Sequence, residues 1–203
     1  PRHLQMLPGN TRLLVACGDA GRADTLDLAT RRVVDSSPLG HDPEALDLST
    51  DGRLAYVSAE DDHALAVFDL VAKKEVGRVA LGPEPEGVKL SADGRCVYVT
   101  SEVAGVVHVI DTATLAVVKT IPVGRRPRRL ALAAGGSQLW VTNEKSATIS
   151  MISTASLVVG VAAADNTGLA AIPFLSPEGR GTEGEGSPPQ DAPPPLPTLA
   201  DVA

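Results

Sequence analysis

The sequence predicts an all-β repeat fold, a β-propeller, on three observations. Pro1, Pro43, Pro85 and Pro127 recur at one interval of 42 residues, without a gap. Other columns keep the same step: Gly40, Gly82 and Gly124; Asp27, Asp69 and Asp111; Asp51-Gly52, Asp93-Gly94 and Gly135-Gly136; Glu60, Glu102 and Glu144. Within each unit, short apolar runs alternate with turn residues, and a period of about 40–45 residues of that kind is the length of one four-stranded propeller blade.

The third unit shows how each strand arises. Val88 and Leu90 alternate with other residues after Pro85, as a short strand with unlike faces requires, and Leu46 with Leu48 and Leu130 with Leu132 repeat the pattern. Ser91-Ala92-Asp93-Gly94-Arg95 is a hairpin signal, because Asp accepts backbone hydrogen bonds and Gly tolerates positive φ. Residues 97–100 form the second strand and 106–110 the third, joined by the polar stretch from Glu102 to Gly105. The tetrad Asp111-Thr112-Ala113-Thr114 turns the chain through side-chain to backbone bonds. Residues 117–123 make the fourth strand, and Pro122 in it fits an outer edge, where a missing N–H breaks no ladder.

Four strands in sequence order form a meander, and blades stacked around an axis bury both faces, so the middle strands are apolar throughout. Tyr56, Tyr98 and Trp140 share one column and are expected to fill the space between blades.

Tyr98-Val99-Thr100-Ser101-Glu102 and Trp140-Val141-Thr142-Asn143-Glu144, followed by Asp111-Thr112-Ala113-Thr114 and Ile121-Pro122-Val123-Gly124, carry a family resemblance. The chain resembles the YVTN-repeat β-propellers, and among them those associated with quinone-dependent (PQQ) alcohol catabolism, relatives of the amine-dehydrogenase propeller chain. The likeness covers roughly 1–156. It implies a seven-bladed ring, of which this chain supplies four blades, a periplasmic or secreted location, and an oxidoreductase setting with a periplasmic dehydrogenase or cytochrome as partner. The chain starts at Pro1, the first residue of a repeat, as a fragment, truncated product or processed chain would.

The expected organisation is a partial propeller over 1–162, in repeats 1–42, 43–84, 85–126 and 127–162, and a tail over 163–203. The fourth repeat decays after Ala155, with its last strand reduced to about 157–162. From Ser176 on, Pro, Gly, Glu and Ser dominate, so the tail is expected to be disordered with polyproline character near Pro193-Pro194-Pro195.

A formal charge of -7 disfavours nucleic acid as the partner. No run of 18 apolar residues occurs, so no membrane span is expected. Cys17 and Cys96 lie in different columns of non-adjacent blades and read as two separate reduced thiols. No Cys-x-x-Cys-His, paired-Cys or Gly-rich phosphate motif occurs, so no cofactor, metal or catalytic residue is expected. His41 and His63 share one predicted end with Asp42, Glu60, Asp61 and Asp62, without liganding spacing; a solvated acidic loop is the reading favoured over a weak cation site. The Glu60, Glu102 and Glu144 column repeats in three successive units, which suits a structural acceptor of backbone N–H groups rather than catalysis.

The link Arg125-Arg126-Pro127-Arg128-Arg129 stands apart, because its equivalents, Pro83-Glu84-Pro85-Glu86 and His41-Asp42-Pro43-Glu44, are acidic. Adjacent blades bring these links together at the channel mouth, with Arg128 facing Glu86 and Glu86 beside Glu44. Glu44, Glu86, Arg125, Arg126, Arg128 and Arg129 are therefore the candidate site, either as a ring of ion pairs or as surplus guanidinium groups for an anion. The function expected is a non-catalytic interaction module binding a protein partner or a small anionic ligand. The alternatives are an oxidoreductase subunit of amine-dehydrogenase type and a lactonase-type hydrolase. The uncovered end blades also invite self-association.

Overall fold

The structure, a computed structural model, describes residues 1–157, 159–165 and 168–169. The first blade comprises β1 (His3–Met6), β2 (Arg12–Cys17), β3 (Arg22–Asp27) and β4 (Arg32–Pro38). The second comprises β5 (Pro43–Leu48), β6 (Leu54–Ala59), β7 (Ala64–Asp69) and β8 (Lys74–Ala80), and the third β9 (Pro85–Leu90), β10 (Cys96–Ser101), β11 (Val106–Asp111) and β12 (Val117–Pro122). The fourth comprises β13 (Pro127–Ala133), β14 (Gln138–Asn143), β15 (Thr148–Ser153) and β16 (Val159–Asp165), with a short β17 (Gly168–Leu169) added outside it. Each blade is an antiparallel meander in sequence order, so the 42-residue period is one blade. Of the expected tail, 163–165 belong to β16 and 168–169 to β17; the remainder, including the Pro-rich stretch, lies outside the described residues.

The turn chemistry repeats with the blades. Asp93 accepts Ser91 Oγ at 2.6 Å and the Arg95 N–H at 3.1 Å, and Gly94 takes φ of +73°, which a side chain at that position would strain. Asp111 Oδ1 accepts the N–H groups of Ala113 and Thr114 at 3.0 and 2.8 Å, and Asp69 and Asp27 hold the equivalent turns. Pro122 lies on β12, the outermost strand of its sheet, opposite Val106.

Three apolar layers join the blades. Leu14, Ala23 and Leu39 of the first blade meet Leu46, Leu48 and Phe68 of the second. Tyr56, Leu65 and Val67 meet Val88, Val97 and Ile110, and Tyr98, Val107 and Ile121 meet Leu139, Val141 and Ile152. The aromatic column thus lies between blades at Tyr56 and Tyr98, whereas Trp140 is half-exposed on the outer face of the last blade. Cys17 and Cys96 are both free thiols. The first strands of successive blades, β1, β5, β9 and β13, lie next to one another and carry the links at one end.

Candidate ligand-binding face at the channel mouth

Each link enters its inner strand through a proline, and the residues flanking that proline face the connection between the second and third strands. The Glu60, Glu102 and Glu144 N–H groups donate to the carbonyls of Asp42, Glu84 and Arg126 at 3.2, 3.0 and 3.0 Å, which ties link to connection in the second, third and fourth blades. The carboxylates of that column do not accept backbone N–H groups, as the repeated position suggested. They meet the charged side chains of the links instead: Glu102 receives Arg126 Nε at 2.7 Å and Arg128 at 2.8 Å, and Glu144 receives Arg126 at 3.1 Å and Arg128 at 3.4 Å. The links bring a second set of charges within reach, so the strongest available donors are guanidinium groups and not amides.

The predicted residues gather at one end. Arg128 contacts Glu86 of the preceding blade at 2.6 Å, and Arg129 contacts the same carboxylate at 3.3 Å. Glu44 is held by Arg2 at 2.5 Å, and Arg2 also approaches Asp42 at 3.5 Å. The Arg2 contacts are ionic without hydrogen-bond alignment, since Glu44 Oε1 and Asp42 Oδ1 find no aligned donor. Glu44 and Glu86 are 2% and 4% exposed, so they are interior charges at a wet rim. Arg125 is different: its guanidinium reaches only the Lys145 carbonyl at 3.2 Å, and its N–H donates to Ser146 Oγ at 2.6 Å. Sequence reasoning missed Arg2, Asp42 and Glu102 as members of the ring, although Arg2 stands one full period before Glu44.

Crowding of carboxylates sets their protonation. Burial, a hydrogen bond to Glu102 and the charges of Glu102 and Glu44 push Glu86 up to about 7, against the opposing pull of Arg128. Burial also pushes Glu102 up, but the hydrogen bonds from Arg126 and Glu86 and the charges of Arg128 and Arg126 outweigh it and hold Glu102 low. Of this coupled pair, Glu86 is the member pushed toward the protonated form and Glu102 the member held toward the ionised one. Glu60 is likewise pushed up to about 7 by burial, then by Glu44, Asp42 and Glu84.

Oxygens of Asp42, Glu44 and Glu60 lie within 4.8 Å of one another, a grouping that leaves the two histidines aside. His41 Nδ1 meets Asp62 at 3.4 Å, and His63 Nδ1 meets the Glu60 carbonyl at 3.0 Å. Beside the ring, Arg125, Arg126, Lys145, Glu84, Val103 and Pro122 border a groove of about 850 Å³.

A second set of contacts ties the blades together just inside the ring. Ser58 Oγ accepts the Ala45 N–H at 3.0 Å and donates to the Glu86 carbonyl of the next blade at 2.6 Å. Thr100 Oγ1, one period on, accepts the Gly87 N–H at 2.7 Å and donates to the Arg128 carbonyl at 3.2 Å. Gly87 permits that approach, because a Cβ there would stand 2.2 Å from the Arg128 carbonyl oxygen.

Solved structures share this architecture. Hydrazine synthase of Kuenenia stuttgartiensis superposes with a TM-score of 0.71 at 24% identity, over 81% of this chain and 50% of that one. A Bacteroides fragilis protein assigned as a 6-phosphogluconolactonase gives 0.64 at 16%, over 79% and 52%. A functionally unknown protein from Desulfotomaculum acetoxidans gives 0.64 at 12%, over 77% and 53%. The chain thus spans about half the length of these structures, and at such identities the likeness concerns the fold. No curated relative matches the sequence.

The profile of the Cytochrome D1 heme domain matches residues 15–147. A haem needs an axial donor beside an apolar wall, and His41 stands instead among the carboxylates of Asp19, Asp42 and Asp61. His41 and His63 are engaged as described, and His108 sits on β11 against Thr120. His3, on β1, is hemmed by Arg129, Asp47 and Lys89, and burial followed by Arg129 lowers its pKa. Carboxylates and small turn residues, rather than an apolar wall, surround His41 at the channel mouth, so the described residues do not fit a haem. Membership is a matter of shared repeat and fold: with more than half of its residues matched, the chain belongs to the Cytochrome D1 heme domain family.

Proposed function

We propose that the chain is a non-catalytic binding module whose channel-mouth face takes a carboxylate-bearing ligand or an acidic partner segment. The observation that carries this reading is the state of Arg125. Arg126, Arg128 and Arg129 are each spent on Glu86, Glu102 or Glu144, whereas among the described residues Arg125 meets only carbonyl and hydroxyl groups and borders the groove with Lys145, across from Glu84 and Glu102. Two cations that pair with no carboxylate among the described residues, on a rim fixed by ion pairs, form a preorganised anion seat. Glu44 and Glu86 serve the site indirectly, by anchoring Arg2, Arg128 and Arg129.

The resemblance of the repeats to YVTN propellers, and among them to those of quinone-dependent alcohol catabolism, supports an accessory role in periplasmic oxidation, with a dehydrogenase or cytochrome as the acidic partner. Titration calorimetry with citrate and succinate tests the seat. The wild type is expected to bind with a dissociation constant near the millimolar range, and Arg125→Gln to weaken it about tenfold, the worth of one charge-assisted bond at ~1.4 kcal/mol. Equal affinity in both proteins removes the proposal.

A further inference from the structure

The junction between the third and fourth blades shares its backbone frame with the two junctions before it and differs from both in its lining. The N–H groups of Leu39, Leu81 and Val123 donate to the carbonyls of Gly21, His63 and Gly105, each at 2.9 Å, so the end of each outer strand is fixed against the connection inside its own blade. On that frame the first junction forms a groove of about 400 Å³ lined by Asp19, His41, Asp42 and Asp61. Two periods on, the same positions hold Val103, Arg125, Arg126 and Lys145, and these line the 850 Å³ groove of the anion seat. The lining has changed sign where the backbone has not. At the middle junction those places hold Asp61, Pro83, Glu84 and Val103, and none of the four is a cation.

Val103 carries the second half of the argument. Its column reads Asp19, Asp61, Val103 and Lys145, charged in three blades and apolar in one. It is 64% exposed at the tip of a connection, so its isopropyl group gains little from the core of this chain. Exposed Ala104 and Pro122 and half-buried Val123 continue it into an apolar wall along the groove. The two cations are pinned beside that wall: the Arg125 N–H donates to Ser146 Oγ at 2.6 Å, and the Lys145 N–H to the Arg125 carbonyl at 3.2 Å. Glu84 and Glu102 border the groove as well, so beyond the cations a ligand meets either carboxylate or apolar wall, which favours one charged end over two.

We infer that this groove takes a monocarboxylate with an apolar tail, of the alkanoate kind, its carboxylate on Arg125 and Lys145 and its chain along Val103, Ala104 and Pro122. The inference rests on the anion seat proposed above and names the ligand class for it. Charge selects this junction over the first, whose carboxylates repel the same headgroup, and the apolar wall selects tail length.

Titration of the isotope-labelled chain with butanoate, hexanoate and octanoate, followed by amide shifts in NMR spectra, tests this, with succinate and octanol alongside. A fully buried methylene tightens binding about fourfold, and a groove open on one side gives about twofold, so octanoate is expected to bind roughly fifteenfold tighter than butanoate. The amides that shift are those of Val103, Ala104, Arg125 and Lys145, and not those of Asp19 or Asp61. Octanol, without the charge, binds about tenfold more weakly than octanoate. Val103→Asn, at an exposed tip where circular dichroism checks that the fold is kept, flattens the dependence on tail length and leaves succinate affinity unchanged. Arg125→Gln weakens all carboxylates by a similar factor. Succinate that binds while the three alkanoates bind equally would overturn the tail and leave the seat standing; no binding by any carboxylate would overturn both. An unaltered tail dependence in Val103→Asn, or shifts centred on the first junction, would overturn the placement.

Discussion

Arg128→Met is the substitution that most directly probes the charged ring. It removes a guanidinium shared by Glu86 at 2.6 Å, Glu102 at 2.8 Å and Glu144 at 3.4 Å. Glu86 and Glu102 are 4% and 8% exposed, so water does not replace the lost donor. Removing one partner of a buried pair costs about 3–5 kcal/mol. Arg129 remains on Glu86 and Arg126 on Glu102, and the Arg128 side chain is itself 28% exposed, which lowers the expected loss to roughly 2–3 kcal/mol at pH 8. At pH 5 Glu86, already pushed up to about 7, carries a proton and leaves less charge unpaired, so the loss falls to about 1 kcal/mol. Urea unfolding, followed by the fluorescence of the single tryptophan and by circular dichroism at both pH values, measures the difference. Equal losses at the two pH values, or a larger one in acid, would refute a ring in which Glu86 is the proton-holding member.

Three further outcomes follow from the same geometry. Glu86 and Glu60 both titrate near 7 in the folded chain, above their ordinary value, so between about 4.5 and 7 the folded state holds protons that the unfolded chain has released. Their contribution to stability is therefore expected to fall as pH rises through that window, by about 1–3 kcal/mol after screening, against an opposite contribution from His3 and His108, whose pKa values burial lowers; a stability difference between the wild type and Glu86→Gln that does not change from pH 5 to 7.5 contradicts the assignment. Glu102, held low, is ionised throughout the window and does not alter the sign. Gly87→Ala forces a Cβ to 2.2 Å from the Arg128 carbonyl oxygen and strains the Thr100 link, and chemical denaturation should show a loss of roughly 2–3 kcal/mol. Tyr98→Ala should cost about 3–5 kcal/mol, whereas Trp140→Ala, on a half-exposed face, should cost the isolated chain under about 1.5 kcal/mol; comparable losses would mean that the last blade is covered.

The fold was legible in the sequence because its determinants are local. Asp93-Gly94 and Asp111 fix turns by bonding their own neighbours, and Pro122 reports an edge through its missing N–H, so each could be read within one repeat. Arg128 against Glu86 was legible too, since both stand in one column of adjacent blades. The Glu column was misread because its partners are not local: Glu102 meets Arg126 and Arg128, while Glu60, in the same column, faces Asp42, Glu44 and Glu84. One letter in two blades is thus shifted in opposite directions, Glu102 down by the arginines of the link that follows and Glu60 up by burial and the carboxylates of the links on both sides. The hydroxyl column Ser58, Thr100 and Thr142 escaped notice for another reason. Threonine is an ordinary strand residue, and its forward bond shows only when the next blade is in place.

That forward bond gives the array a grammar. Ser58 and Thr100 each accept a hydrogen bond from their own unit and donate one to the unit ahead, so a module has a front and a back that cannot be exchanged. Duplication of an intact 42-residue unit extends such a chain without leaving a donor stranded, while a copy cut out of phase strands one at each seam. Growth of this lineage by whole, in-phase units is what the chemistry of a single hydroxyl would select.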